Sequence, residues 1–149
     1  MKDEKLPNIL SGISGEYFVA AELSRRGFIT TLTLKNTKGV DILASDQEAI
    51  KTIAIQVKTT TKNKNEWMLS DKSESFISDN HFYVLVRLNN FLPPTFHIVP
   101  SKIVAENIKT SHQKWLDTPA KDGSKHNSSS MRIFRDIEEK YKDQWGILK

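Results

Sequence analysis

The chain has no cysteine. That excludes disulfides, thiolate zinc centres and a cysteine nucleophile, and it agrees with a reducing, cytoplasmic setting. Long apolar runs are also missing. No stretch approaches the ~20 residues of a membrane span, and the opening MKDEKLPNIL is charged where a secretory leader would be greasy. There is no internal repeat, Walker loop, dinucleotide fingerprint or serine-nucleophile elbow. The four histidines, His81, His97, His112 and His126, lack ligand spacing, which favours surface or structural roles.

What is present is polar and mildly basic. Apolar residues make up 38% and charged residues 27% of the 149, and the net charge is +4 with a pI near 9.2. A chain of this length is expected to form a single domain spanning 1–149 with a real core. The basic excess leans towards a polyanionic partner without identifying one.

The hydropathy pattern gives the elements. Ile9, Ile13, Ala20 and Leu23 recur at helical spacing, predicting a helix from Ile9 to Arg26, with Asn8 as its cap and Gly27 beyond its end. Gly12 and Gly15 lie inside it, each costing roughly 1 kcal/mol against alanine; close approach of another backbone or a substrate would explain them. Phe28–Leu34, Val40–Ser45 and Ile53–Lys58 read as three strands of an antiparallel meander, separated by Asn36-Thr37-Lys38-Gly39 and Asp46–Ala49. A polar loop from Thr59 to Glu66, the apolar Trp67-Met68-Leu69 and a brief helix over Asp71–Ser78 lead to a strand at Phe82–Leu88. The crossover is long enough to make that strand parallel to the third. Thr95–Val99 is a further strand, and Ser101 caps a helix to about Trp115. Asp117–Ser130, with three consecutive serines, is a long loop, and Ile133, Phe134, Ile137, Tyr141 and Trp145 are spaced for a last amphipathic helix.

Four polar residues interrupt these apolar patterns. Gln56 and Lys58 alternate to one face of the third strand. Asp41 is on the neighbouring strand, where facing side chains lie within ~5–8 Å at Cβ. Glu16 falls on or beside the buried stripe of the first helix. Two readings stand for each: Glu16 as a boundary glutamate reaching solvent or as a site carboxylate, and Asp41 with Lys58 as a structural ion pair or as working chemistry. The working version is hydrolysis of a phosphodiester. Carboxylates Asp41 and Glu16 suit Mg²⁺, the Gln56 amide oxygen and the Val57 backbone carbonyl are further ligands, and Lys58 would orient water or stabilise developing charge. Lys62 and Lys64 could grip phosphates with Trp67 stacking on a base, or simply form a solvated loop. Lys121, Lys125 and Arg132, flanking the serine-rich loop, could do the same, but a solvated loop is favoured there. Trp115 and Trp145 read as core or a dimer face.

The motif GE-x-x-V-A at Gly15–Ala20, G-x-D-I at Gly39–Ile42 and Q-V-K at Gln56–Lys58, on elements ordered αβββαβ, resemble the PD-(D/E)XK nuclease superfamily. The glutamine variant is similar to Mrr-type restriction enzymes, and the helix glutamate to archaeal Holliday-junction resolvases. The resemblance covers about residues 9–99 and implies an α/β, restriction endonuclease-like core with a mixed central sheet, followed by C-terminal helices. It implies Asp41 and Gln56 as metal ligands, Lys58 as the catalytic lysine and Glu16 as the helix carboxylate. A Mg²⁺-dependent endonuclease acting on DNA, with Mn²⁺ able to substitute and a homodimer to cut both strands, is the expectation. A silent relative that binds nucleic acid or a partner protein is the alternative. Two departures bear on this choice: Val40 stands where the superfamily has proline, and Gln56 replaces an acid, which weakens the expected hold on metal.

Overall fold

The structure is a computed structural model that describes residues 6–34 and 37–149. The charged opening Met1–Lys5 and the Asn36 part of the first turn fall outside these residues. Helix α1 runs from Asn8 to Arg25, with Pro7 rather than Asn8 at its N-cap. It ends as the glycine foretold: Gly27 takes φ +94°, its N–H donates to the Ser24 carbonyl, and Phe28 N–H reaches back to Leu23. This satisfies two carbonyls that the helix leaves open.

Among the described residues seven strands follow: β1 Ile29–Leu32, β2 Ile42–Ser45, β3 Thr52–Thr60, β4 Glu66–Ser70, β5 His81–Asn89, β6 Leu92–Pro100 and β7 Met131–Arg135. Helix α2, Ser101–Asp117, lies between β6 and β7. The main sheet has the order β1-β2-β3-β5-β6, antiparallel except for the parallel pair β3 and β5. The expected parallel crossover is therefore present. It carries β4 and a single 3-10 turn, Asp71–Glu74, in place of the longer helix expected over Asp71–Ser78.

Alternation along β3 divides the core into two layers. Ile53, Ile55 and Val57 face α1, packing with Ile42, Ala44, Val19, Leu23, Val84, Val86 and Ile98. On the other face Tyr83, Leu85 and Val99 pack with Val104 and Ile108 of α2 and with Trp67, Leu69 and Phe134 of a small β4–β7 sheet.

The C-terminal helix expected over 133–145 is absent. Residues 131–135 pair antiparallel with β4, and Arg132 and Phe134 turn inward at period two. Ile137, needed for the helical stripe, is 69% exposed. The helical spacing there is a coincidence between one strand and the turns after it. The chain closes with a 3-10 turn at Trp145–Leu148 that buries Trp145 under the α1 layer, where Arg26 stacks over its ring at 4.4 Å. Trp145 is thus core, as its apolar spacing suggested. Trp115 is instead 43% exposed, stacked between His112 and His126.

Candidate active site

Asp41 stands where the main sheet opens. Strand β2 pairs with β3 from Ser45 opposite Thr52 to Ile42 opposite Ile55, and there β2 begins. Strand β3 runs on to Thr60 beside β5 alone. The Asp41 N–H still donates to the Ile55 carbonyl at 2.8 Å. The next N–H on that edge of β3, Val57, has no strand to meet and donates to Asp41 Oδ2 at 2.7 Å. A carboxylate thus stands in for a missing backbone acceptor, which fixes it at the opening. The N–H and C=O of one strand residue point to the same side, so the Val57 carbonyl looks into the same opening.

Gln56 and Lys58 alternate to the face shared with Tyr83 and Leu85, their register partners on β5, and both are half-buried. Gln56 follows Ile55, the last β3 residue paired with β2 and the acceptor of the Asp41 N–H. Lys58 is close enough to act on the Asp41 charge. The Val57 hydrogen bond and the Lys58 charge tie Asp41 to this stretch of β3, in which Gln56 is the residue before Val57. Glu16 comes from the opposite layer. It is half-buried on α1, next to Gly15, and a Cβ on Gly15 would lie 1.9 Å from Thr59 Oγ1. That contact sets α1 hard against β3 one residue past Lys58.

Burial pushes the Asp41 carboxyl above its ordinary range, against the Val57 N–H, Lys58 and His81, which favour the anion. Burial likewise lowers the His81 pKa, opposed by its bond to the Gly39 carbonyl and by Asp41. The Tyr83 hydroxyl is pushed up by burial; Ser73 lies beside it but short of a hydrogen bond.

Among the described residues no three His, Asp or Glu side chains gather into a metal cluster. The donors at the opening are carboxylate, amide and main-chain oxygens. They fit a hard divalent cation that keeps several waters, and a buried carboxylate with a raised pKa gains from such a cation.

His81 and Tyr83 border Asp41 but carried no signal in the sequence, because the parallel register of β3 with β5 puts them there. Lys62 and Lys64 are exposed on the turn after β3, near the charge of Glu66. Trp67 must be corrected. It is 1% exposed, its indole N–H donates to the Val86 carbonyl at 2.9 Å, and its ring has no face to offer a base. Arg132 is a second correction: it lies buried in β7 and not in a solvated loop, bonded to Glu74 and to the Ser129 and Met131 carbonyls, because the β4 pairing turns it inward.

No protein-family profile matches the sequence, and no curated protein matches it significantly. Solved structures do match. A bacterial homing endonuclease, I-Ssp6803I, superposes with a TM-score of 0.56 at 13% identity, over 95% of this chain and 91% of that one. Hjc, a Holliday junction resolvase of Archaeoglobus fulgidus, gives a TM-score of 0.49 at 16% identity, over 84% of each chain. The homing-endonuclease superposition shows the fold: a restriction endonuclease-like α/β arrangement around a mixed sheet. Among the described residues no helix is long and apolar enough to cross a membrane.

Proposed function

We propose that this chain is a Mg²⁺-dependent endonuclease that hydrolyses phosphodiester bonds of DNA. The observation that carries the reading is Asp41. Its carboxylate is held on the Val57 N–H at the open edge of β3, with Gln56 and Lys58 on the adjoining face, in a fold superposable on a homing endonuclease.

Asp41, Glu16, the Gln56 amide oxygen and the Val57 carbonyl would hold Mg²⁺, with Mn²⁺ able to replace it. The ion, when bound, polarises the scissile phosphate and acidifies a water. Lys58 orients that water and balances charge growing on the phosphate. In support of this role, Lys58 shares a strand face with Gln56 and is near enough to act on the Asp41 charge. Lys62 and Lys64, exposed beyond the end of β3, grip backbone phosphates. A homodimer would present two such openings to the two strands of a duplex, and a cytoplasmic location belongs to the same reading.

Gln56 favours a second reading. An amide where the superfamily has an acid weakens the metal site, as would suit a silent relative that binds nucleic acid or a partner protein. Nicking of supercoiled, branched and RNA substrates with Mg²⁺ or Mn²⁺ separates the two. The nuclease reading expects wild type to cut DNA and Lys58→Ala to cut at least about 100-fold more slowly, with an unchanged melting temperature. Equal inertness of both proteins on every substrate would end the nuclease reading. Equal cutting by both would remove Lys58 from the chemistry.

A further inference from the structure

His81 opens β5 and is 2% exposed. Its Nε2 is 2.8 Å from the Gly39 carbonyl oxygen. A carbonyl only accepts, so Nε2 carries the proton. Nδ1 is buried and makes no hydrogen bond among the described residues, so the ring offers nothing to a ligand arriving from solvent. Phe76 and Tyr83 meet the imidazole edge-on, at 4.6 and 5.3 Å between centroids.

Gly39 is held from a second direction. Its φ is +70°, and a Cβ built there would come within 2.9 Å of the Phe76 ring. On the far side of the turn Thr33 Oγ1 donates to the Val40 carbonyl at 2.7 Å. The three-residue run Gly39-Val40-Asp41 is therefore gripped by β5 at its start and by the end of β1 at its middle. It ends on the carboxylate that accepts from Val57.

We infer that His81 is a positioning residue for Asp41: by donating Nε2–H to the Gly39 carbonyl it fixes the turn that lays the Asp41 carboxylate on the open edge of β3. It touches neither substrate nor metal. The structural part of this inference stands on the contacts above, and only its consequence for catalysis rests on the nuclease reading.

The test reads the Asp41–Val57 bond directly, by amide hydrogen exchange, in wild type, His81→Phe, His81→Gln and His81→Asn. Phenylalanine keeps the ring packing and removes the donor. Glutamine places an amide N–H near the reach of Nε2, whereas asparagine falls short of Gly39. Val57 is expected to exchange about five- to tenfold faster in His81→Phe and His81→Asn, with Val84 on β5 unchanged, and to regain most of its protection in His81→Gln. In the nicking assay the first two variants are expected to lose kcat by a similar factor at unchanged KM, and glutamine to recover it.

Unchanged Val57 protection in His81→Phe overturns the inference. If His81→Phe does not fold, the comparison of Gln with Asn decides, and equal Val57 exchange in those two overturns it. A wild-type protein that is inert on all substrates, yet loses Val57 protection in His81→Phe, leaves the inference standing and ends the nuclease reading.

Discussion

Asp41 carries a negative charge where water is scarce, and its pKa is raised above the ordinary 3.8 by that burial. The sign of the consequence follows from linkage. Between 3.8 and the raised folded value the unfolded chain releases its proton first, so stability falls as pH rises through that window. Below the window both states are protonated and the penalty vanishes. Asp41→Asn keeps an oxygen for the Val57 N–H and removes the charge. It is expected to melt a few degrees above wild type at neutral pH, to lose that advantage below about pH 4, and to be inactive. Scanning calorimetry across pH checks this, and added Mn²⁺ should raise the melting temperature of wild type but not of Asp41→Asn. The same scale explains why Trp67 misled. Its neighbours Lys62 and Lys64 are exposed, but the period of β4 turns Trp67 inward. Lysine next to tryptophan in sequence says nothing about which face of a strand each takes until the strand is recognised.

Between elements, the decisive contact is α1 on β3. The sequence marked Gly12 and Gly15 as positions of possible close approach. Only Gly15 is one: Gly12 has nothing within 4 Å of a built Cβ, whereas Gly15 meets the Thr59 side chain at 1.9 Å. Gly15→Ala is therefore expected to destabilise the protein by about 1–3 kcal/mol through overpacking. Combining it with Thr59→Ala should recover part of that loss, measured as a coupling energy in urea unfolding. Gly15→Ala should also reduce cutting more than its stability loss accounts for, because the contact sets the depth at which Glu16 rides beside β3. Spacing alone could not choose between the two glycines, since the choice depends on which helix face meets the sheet. The final segment failed for a related reason. Residues 131–135 form a strand because β4 supplies their backbone partners, Glu66 opposite Arg135 through Ser70 opposite Met131, and that partner lies far away in sequence.

For the whole molecule, the tail is a strap from the α2 layer to the α1 layer. Asp136 receives the His97 Nδ1 at 2.6 Å and the N–H groups of Lys140 and Tyr141 at 2.9 Å each. Ile98 then donates to the Tyr141 carbonyl and Asp143 to the Phe96 carbonyl, which pins residues 141–143 along β6. Beyond them Trp145 and Leu148 close the first core layer. Asp136→Ala leaves three donors without their acceptor and is expected to cost about 3 kcal/mol or more. The expected signature is a lower urea midpoint, with the Lys140 and Tyr141 amides losing protection before those of β3.

Alternation in Val40–Ser45 and Ile53–Lys58 already put Gln56 and Lys58 on one face and Asp41 on the adjoining strand, because a period of two and short connections are local properties. The apolar strand at 82–88 and its long crossover likewise implied the parallel partner of β3, and so the class of fold. Chain order could not give the point where β2 stops short and leaves the Val57 N–H to a carboxylate, the meeting of His81 with Gly39, or the burial of Trp67. Each of these depends on residues far apart in the chain and on the layer that a side chain enters, and both are fixed only when the two layers close on the sheet.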